Sequence, residues 1–107
     1  MIVRGTEADV TPLSPGVTRQ ILAYDPQMMM IRVVFTTGGV GALHSHPHRQ
    51  VSFIERGRFR LTLGDRTLDV AAGDSFFVEP GLTHGAEALE DGAIIDVFTP
   101  AREEFLA

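Results

Sequence analysis

The chain has 107 residues, 44% of them hydrophobic and 21% charged, with a formal net charge of −5, which is the make-up of one globular domain near the size where surface burial is marginal and association of copies is expected. It has no Cys, and its nine basic residues are all Arg, so disulfides, thiolate metal sites, thiol nucleophiles, Schiff-base lysines and a P-loop lysine are excluded. The acidic balance, without a basic stripe, argues against nucleic acid as partner, and apolar runs of a few residues fall far short of the ~20 that span a bilayer.

Residues 1–16 (MIVRGTEADVTPLSPG) are rich in Pro, Thr and Gly and show no period. They read as an N-terminal arm with at most one short strand. They lack the apolar stretch of a secretory signal, and the expected location is cytoplasmic. Residues 17–107 read as the folded domain, a series of short strand-like runs: Val17–Tyr24, Met28–Phe35, Val51–Arg56, Phe59–Leu63, Thr67–Val70, Ser75–Val78, Gly85–Leu89 and Ile94–Phe98. Asp25-Pro26, Gly38-Gly39, Gly57, Gly64-Asp65, Gly73-Asp74, Pro80-Gly81 and Asp91-Gly92 punctuate them. Phe59, Leu61 and Leu63 share one face of their run, while Arg58, Arg60 and Thr62 share the other. Such period-two alternation is the mark of a half-buried strand. Gly64-Asp65, with Gly first, predicts a two-residue type II′ hairpin. Met28-Met29-Met30 reads as strand core and edge, since Met fills core gaps. Only Ala101–Leu106 reads as helical, as a short turn at the end. Many evenly spaced strands without intervening helices predict an all-β sandwich or small barrel.

Three of the four histidines, His44, His46 and His48, fall in GALHSHPHRQ, and the fourth, His84, in EPGLTHG. In an extended segment His44 and His46 point to one side. Together with an imidazole from a distant strand they make an open metal site, and Gln50 could add a carbonyl oxygen as fourth donor. The plainer alternative is a set of loop histidines around Pro47. His48 follows Pro47, which interrupts the strand, and reads as a supporting or surface group.

The surroundings carry a resemblance. Gly38, His44, His46, Gln50 and Gly57 are spaced as in the first cupin motif, and Gly73, Glu79, Gly81 and His84 as in the second. Three departures stand out: Glu79 where Pro is usual, Ala88 where Asn is common, and Gln50 where the first motif usually has Glu. The resemblance implies a single-domain double-stranded β-helix, a jelly-roll-like barrel. It further implies one divalent transition metal per chain (Zn, Ni, Fe, Mn or Cu) on His44, His46, Gln50 and His84, and a homodimer. The runs HSHPHRQ and GDSFFVEPGLTHG, and above all the tail LEDGAIIDVFTPAREEFL, resemble the KdgF-type cupins of pectin and alginate breakdown. Those enzymes convert 4,5-unsaturated monouronates, the products of polysaccharide lyases, into the open-chain keto form. Their further functional residues correspond here to Asp96, Phe98 and Arg102. The implied partner is therefore a small carboxylated sugar.

The residues themselves leave alternatives open. Asp96 lies in IIDVF on the same face as Ile94 and Phe98, and a carboxylate there is costly to bury unless it is paired. It is either an ion-pair partner in the barrel wall or a general acid–base group facing the cavity. Phe98 is either core or a substrate-contacting wall. Arg102 is either a solvated side chain or a clamp on the substrate carboxylate, a task that suits the guanidinium fork. Arg60 lies inside the barrel as a second carboxylate binder, or on its surface. A neutral Gln50 leaves a bound metal its full charge as a Lewis acid. Two other classes of function compete with the uronate enzyme: a cupin dioxygenase, and a non-catalytic sugar- or effector-binding cupin. The latter is disfavoured here by the lack of a DNA-docking helix.

Overall fold

The alternation of apolar and polar residues resolves into ten strands in a computed structural model that describes residues 1–107. They are β1 (Thr11–Ser14), β2 (Val17–Asp25), β3 (Met28–Phe35), β4 (Val40–His44), β5 (Arg49–Arg56), β6 (Arg58–Leu63), β7 (Arg66–Ala71), β8 (Ser75–Val78), β9 (His84–Ala88) and β10 (Gly92–Thr99). A 3₁₀ turn over Glu103–Leu106 ends the chain and is its only helix. One antiparallel sheet has the order β1-β2-β3-β10-β5-β8 and the other β4-β9-β6-β7.

The expected strand runs all form, with ends shifted by a residue or two. Strand β4 was not marked by alternation: VGALH is short, rich in small residues and nearly all exposed. Strand β1 lies in the segment read as an arm and adds an edge to β2; its Pro12 suits an edge, where a missing N–H costs no ladder bond. At Gly64-Asp65 the pairing of Leu63 with Arg66 leaves a two-residue loop. Gly64 has φ +62° and no non-glycine residue has positive φ, which is the II′ pattern expected. Gly57 links β5 of one sheet to β6 of the other with φ +85°, and a Cβ there would lie 2.5 Å from the Asp91 carbonyl oxygen, so only glycine makes this crossing.

The two sheets close face to face. Alternate residues Met29, Ile31, Val33 and Phe35 of β3 are buried, as are Phe59 and Leu61 of β6 and Ile94 and Phe98 of β10. The rings of Phe35 and Phe59 meet edge to face at 4.9 Å across the sheets. Truncating a fully buried Phe such as Phe59 costs about 3–5 kcal/mol. Met29 is in this core while Met28 and Met30 point outward. The inward residues of β5 change character along the strand: Ile54 is apolar, but Ser52 and Gln50 are polar and also buried. One end of the barrel is thus filled with hydrocarbon, and the other is lined with groups that need partners.

Candidate active site

The histidines converge at that polar end. His44 closes β4, His84 opens β9, and the two are register partners. His46 lies in the loop before β5 and is buried. One ring nitrogen from each of His44, His46 and His84 lies within 4.8 Å of the others. The opposite nitrogens are anchored: Nδ1 of His44 donates to the Ala42 carbonyl at 2.9 Å, Nδ1 of His84 to that of Leu82 at 2.9 Å, and Nδ1 of His46 to that of His48 at 3.2 Å. With Nδ1 carrying the proton, each Nε2 presents a lone pair. Burial pushes the His84 pKa down to about 4 and lowers that of His46 as well, opposed in part by those backbone bonds. Both rings are therefore neutral at pH 7, the state a ligand needs.

Gln50 completes the group. Its Oε1 sits 2.9 Å from Nε2 of His46. Its amide nitrogen donates to Ser52 Oγ at 2.9 Å, and the Ser52 hydroxyl donates to Asp96 Oδ1 at 2.5 Å. This chain of donors fixes the amide with its oxygen toward His46. Gln50 Oε1 accepts from the ring when His46 carries its proton on Nε2, and both atoms offer lone pairs when that proton sits on Nδ1. Nε2 of His84 is buried with no hydrogen-bond partner. An orphaned buried ring nitrogen, two further imidazoles within 4.8 Å and an amide oxygen beside them are what a divalent cation would satisfy. The donor set fits a metal.

Asp96 is held by the sheet directly opposite Ser52, and Phe98 opposite Gln50. Neither Arg60 nor Arg102 forms an ion pair with the Asp96 carboxylate. Burial pushes its pKa up to about 6, against the pull of the Ser52 hydrogen bond and of His44 and Arg102. Asp96, His44, His84, Gln50, Phe98 and Arg102 all line one cavity of about 150 Å³. A single water needs roughly 10–15 Å³, so the space suits a monosaccharide-sized ligand. Phe98 is buried, with its ring 5.5 Å from that of His46 and 6.1 Å from that of Phe105. Arg102 follows β10, on a segment tied down by the Ala101 N–H to the Pro26 carbonyl at 3.2 Å. Its guanidinium lies 4.4 Å from the centroid of the Phe105 ring and 5.1 Å from that of Phe98.

Comparison with known proteins agrees with this geometry. The cupin-domain family profile matches residues 31–98. The chain belongs to the cupin family. It is 32% identical over 103 residues to the pectin degradation protein KdgF of Dickeya dadantii (strain 3937), covering 92% of this chain and 94% of that protein. The structure of KdgF from a Halomonas species superposes with a TM-score of 0.92 at 34% identity, covering 98% of this chain and 97% of the other. An RmlC-like cupin from Shewanella frigidimarina NCIMB 400 gives 0.93 at 36% identity, covering 97% and 94%.

Within this cupin the expected residues do not all meet. His44, His46, Gln50, His84, Asp96, Phe98 and Arg102 come together. Arg60 does not: it is exposed on the outer face of β6 and forms an ion pair with Asp69 of β7 at 2.9 Å. The reason is parity, because Phe59 and Leu61 take the inward positions of that strand. His48 is half-buried, beside His46 and outside the three-histidine group. Sequence reasoning missed Ser52 and Arg19. Ser52 sits between Gln50 and Ile54 on the inward face of β5, and Arg19 between Val17 and Ile21 on that of β2. A polar residue alternating with buried apolar ones was the available signal, the same one that singles out Asp96.

Proposed function

We infer that this cupin is a metal-dependent enzyme that converts 4,5-unsaturated monouronates, the products of pectin and alginate lyases, to the linear keto form. The observation that carries the reading is the hydrogen-bonded line from the histidine group through Gln50 and Ser52 to Asp96, in a cavity that also holds Arg102. The KdgF relatives supply the substrate class. His44, His46, Gln50 and His84 would hold one divalent transition metal, which supplies Lewis acidity to the site when bound.

The net reaction is an isomerisation. The C1–O5 bond of the ring breaks, the O1 hydroxyl loses its proton to leave an aldehyde, and C4 gains a proton as C5 becomes a ketone. Asp96 is the group that takes and returns that proton. A carboxyl in a desolvated wall, with an elevated affinity for protons, can do both near neutral pH. Ser52 donates to Oδ1 and leaves Oδ2 to the substrate. Arg102 binds the uronate carboxylate through its planar fork. Phe98 walls the pocket between His46 and Arg102 and keeps water from Asp96.

The protein acts as a cytoplasmic homodimer in this reading. Exposed Met30, Val51, Phe53 and Phe77 lie on the outer face of the large sheet. Met30, Val97, Val51 and Phe77 form one row across β3, β10, β5 and β8. An apolar row of this kind supports a protein–protein contact on that face. Light scattering should give twice the chain mass for the wild type and a smaller mass for Val51→Asp. The enzymatic reading is tested by proton NMR of 4,5-unsaturated galacturonate in D₂O. Enzyme-dependent loss of the olefinic signal with deuterium entering at C4 is the expected result. Conversion no faster than in buffer would reject it.

A further inference from the structure

Arg19 enters the cavity from β2. Its guanidinium carbon stands 4.0 Å from the centroid of the Phe105 ring, the same ring that Arg102 overlies at 4.4 Å. Nε of both arginines is buried without a hydrogen-bond partner. Arg102 has Glu104 at 3.3 Å, a contact not aligned as a hydrogen bond, and Arg19 has no acidic partner. Burial and the neighbouring Arg102 both lower the proton affinity of Arg19, yet a guanidinium stays charged. Among the residues lining the cavity Asp96 is the only carboxylate, and its Oδ1 is engaged by Ser52 and Gln50. The wall thus carries two cations against one aromatic ring, of which Arg102 has Glu104 beside its Nε and Arg19 has no acidic partner. Arg19 differs in this from Arg32, Arg58 and Arg60 on the outside of the barrel, and from Arg102, each of which meets an acidic side chain. A like-charge pair is costly to hold in a partly desolvated wall, and a ligand carboxylate bound beside the two guanidiniums would relieve it.

We propose that Arg19 is a second substrate-binding residue, closing with Arg102 on the carboxylate of the sugar and giving the pocket its preference for uronates over neutral hexoses. The proposal rests on the reading of the cavity as a uronate site. A merely structural Arg19, anchoring the terminal turn through Phe105, would affect stability and leave sugar preference unchanged.

The test uses metal-quantified protein and calorimetric titration with D-galacturonate and with D-galactose, which differ only in carrying a carboxylate or a hydroxymethyl group. The wild type should prefer galacturonate. Arg19→Gln should lose about tenfold or more of that affinity, as expected for removing a charged hydrogen-bond partner, with galactose binding unchanged. In turnover, KM should rise by a similar factor and kcat should change by much less. Arg19→Met keeps the apolar stem on Phe105 and serves where the Gln variant folds poorly; it should show the same loss. A folded variant that retains the galacturonate preference would overturn the proposal, as would a wild type with no preference. Absence of turnover with the Arg19-dependent preference intact would instead reject the enzymatic reading and leave this assignment standing.

Discussion

The outer face of the small sheet and the wall of the cavity use the same charged residues to opposite ends. Outside, Arg60 and Asp69 sit opposite one another in register and form two hydrogen bonds, at 2.9 and 3.2 Å. Arg58 likewise meets Glu90 at 2.8 Å. Solvent screens such pairs, and each is worth about 0–1 kcal/mol. Inside, Asp96 lacks a cation in contact, Arg19 lacks an anion, and His84 keeps a buried nitrogen unpaired. Each of these costs stability that the filled end of the barrel must offset. Charges that are satisfied describe the surface of this protein; charges left wanting describe its work.

Substitutions can break that contrast, and the largest effect should come from Asp96→Asn. It keeps the acceptor for Ser52 and removes the proton carrier, so kcat should fall by about 10²–10⁴-fold with metal content unchanged, as read by steady-state kinetics and metal analysis. A loss below tenfold would take Asp96 out of the chemistry. Ser52→Ala should follow, with a loss of about 10–100-fold in metal affinity or activity, typical of groups that orient a ligand. Its cause is the released Gln50 amide, so competition with a chelator should show weaker metal retention.

The same aspartate sharpens the contrast in stability. Its folded pKa of about 6 lies above the ordinary value of 3.8. Ionised Asp96 therefore burdens the folded state fully above about pH 6, and the burden fades as pH falls toward 3.8. Asp96→Asn should stabilise the metal-free protein at pH 8 by up to about 3 kcal/mol, read as a higher melting temperature. The gap to wild type should close near pH 4. A variant less stable than wild type at pH 8 would contradict a desolvated carboxylate. The smallest effect belongs to Arg60→Gln, which should change stability by less than about 1 kcal/mol and leave kcat/KM within twofold. A larger kinetic effect would bring Arg60 back to the substrate.

How far the sequence could be read follows from the same physics. The strands were legible wherever alternation was clean, as in Phe59–Leu63, and the hairpin at Gly64 because only glycine supplies its φ. Strand β4 was not, since VGALH pairs with β9 through backbone bonds and buries little of its own. The histidine group was legible from spacing and motif. Asp96 stood out because a carboxylate among isoleucines is conspicuous. Ser52 and Arg19 occupy equivalent inward positions, but a serine is unremarkable in any strand, and an arginine at the start of one reads as solvated. The inward or outward placement of Arg60 needed only the choice of face, and Phe59 and Leu61 make it.

The most direct measurement follows the near-UV band of the C4=C5 enol ether in 4,5-unsaturated galacturonate, using protein of known metal content. The ring opens spontaneously as well, so the rate must be compared with a protein-free blank. The predicted result is acceleration that a chelator abolishes and added divalent metal restores. A rate equal to the blank with the metal bound would contradict the central claim.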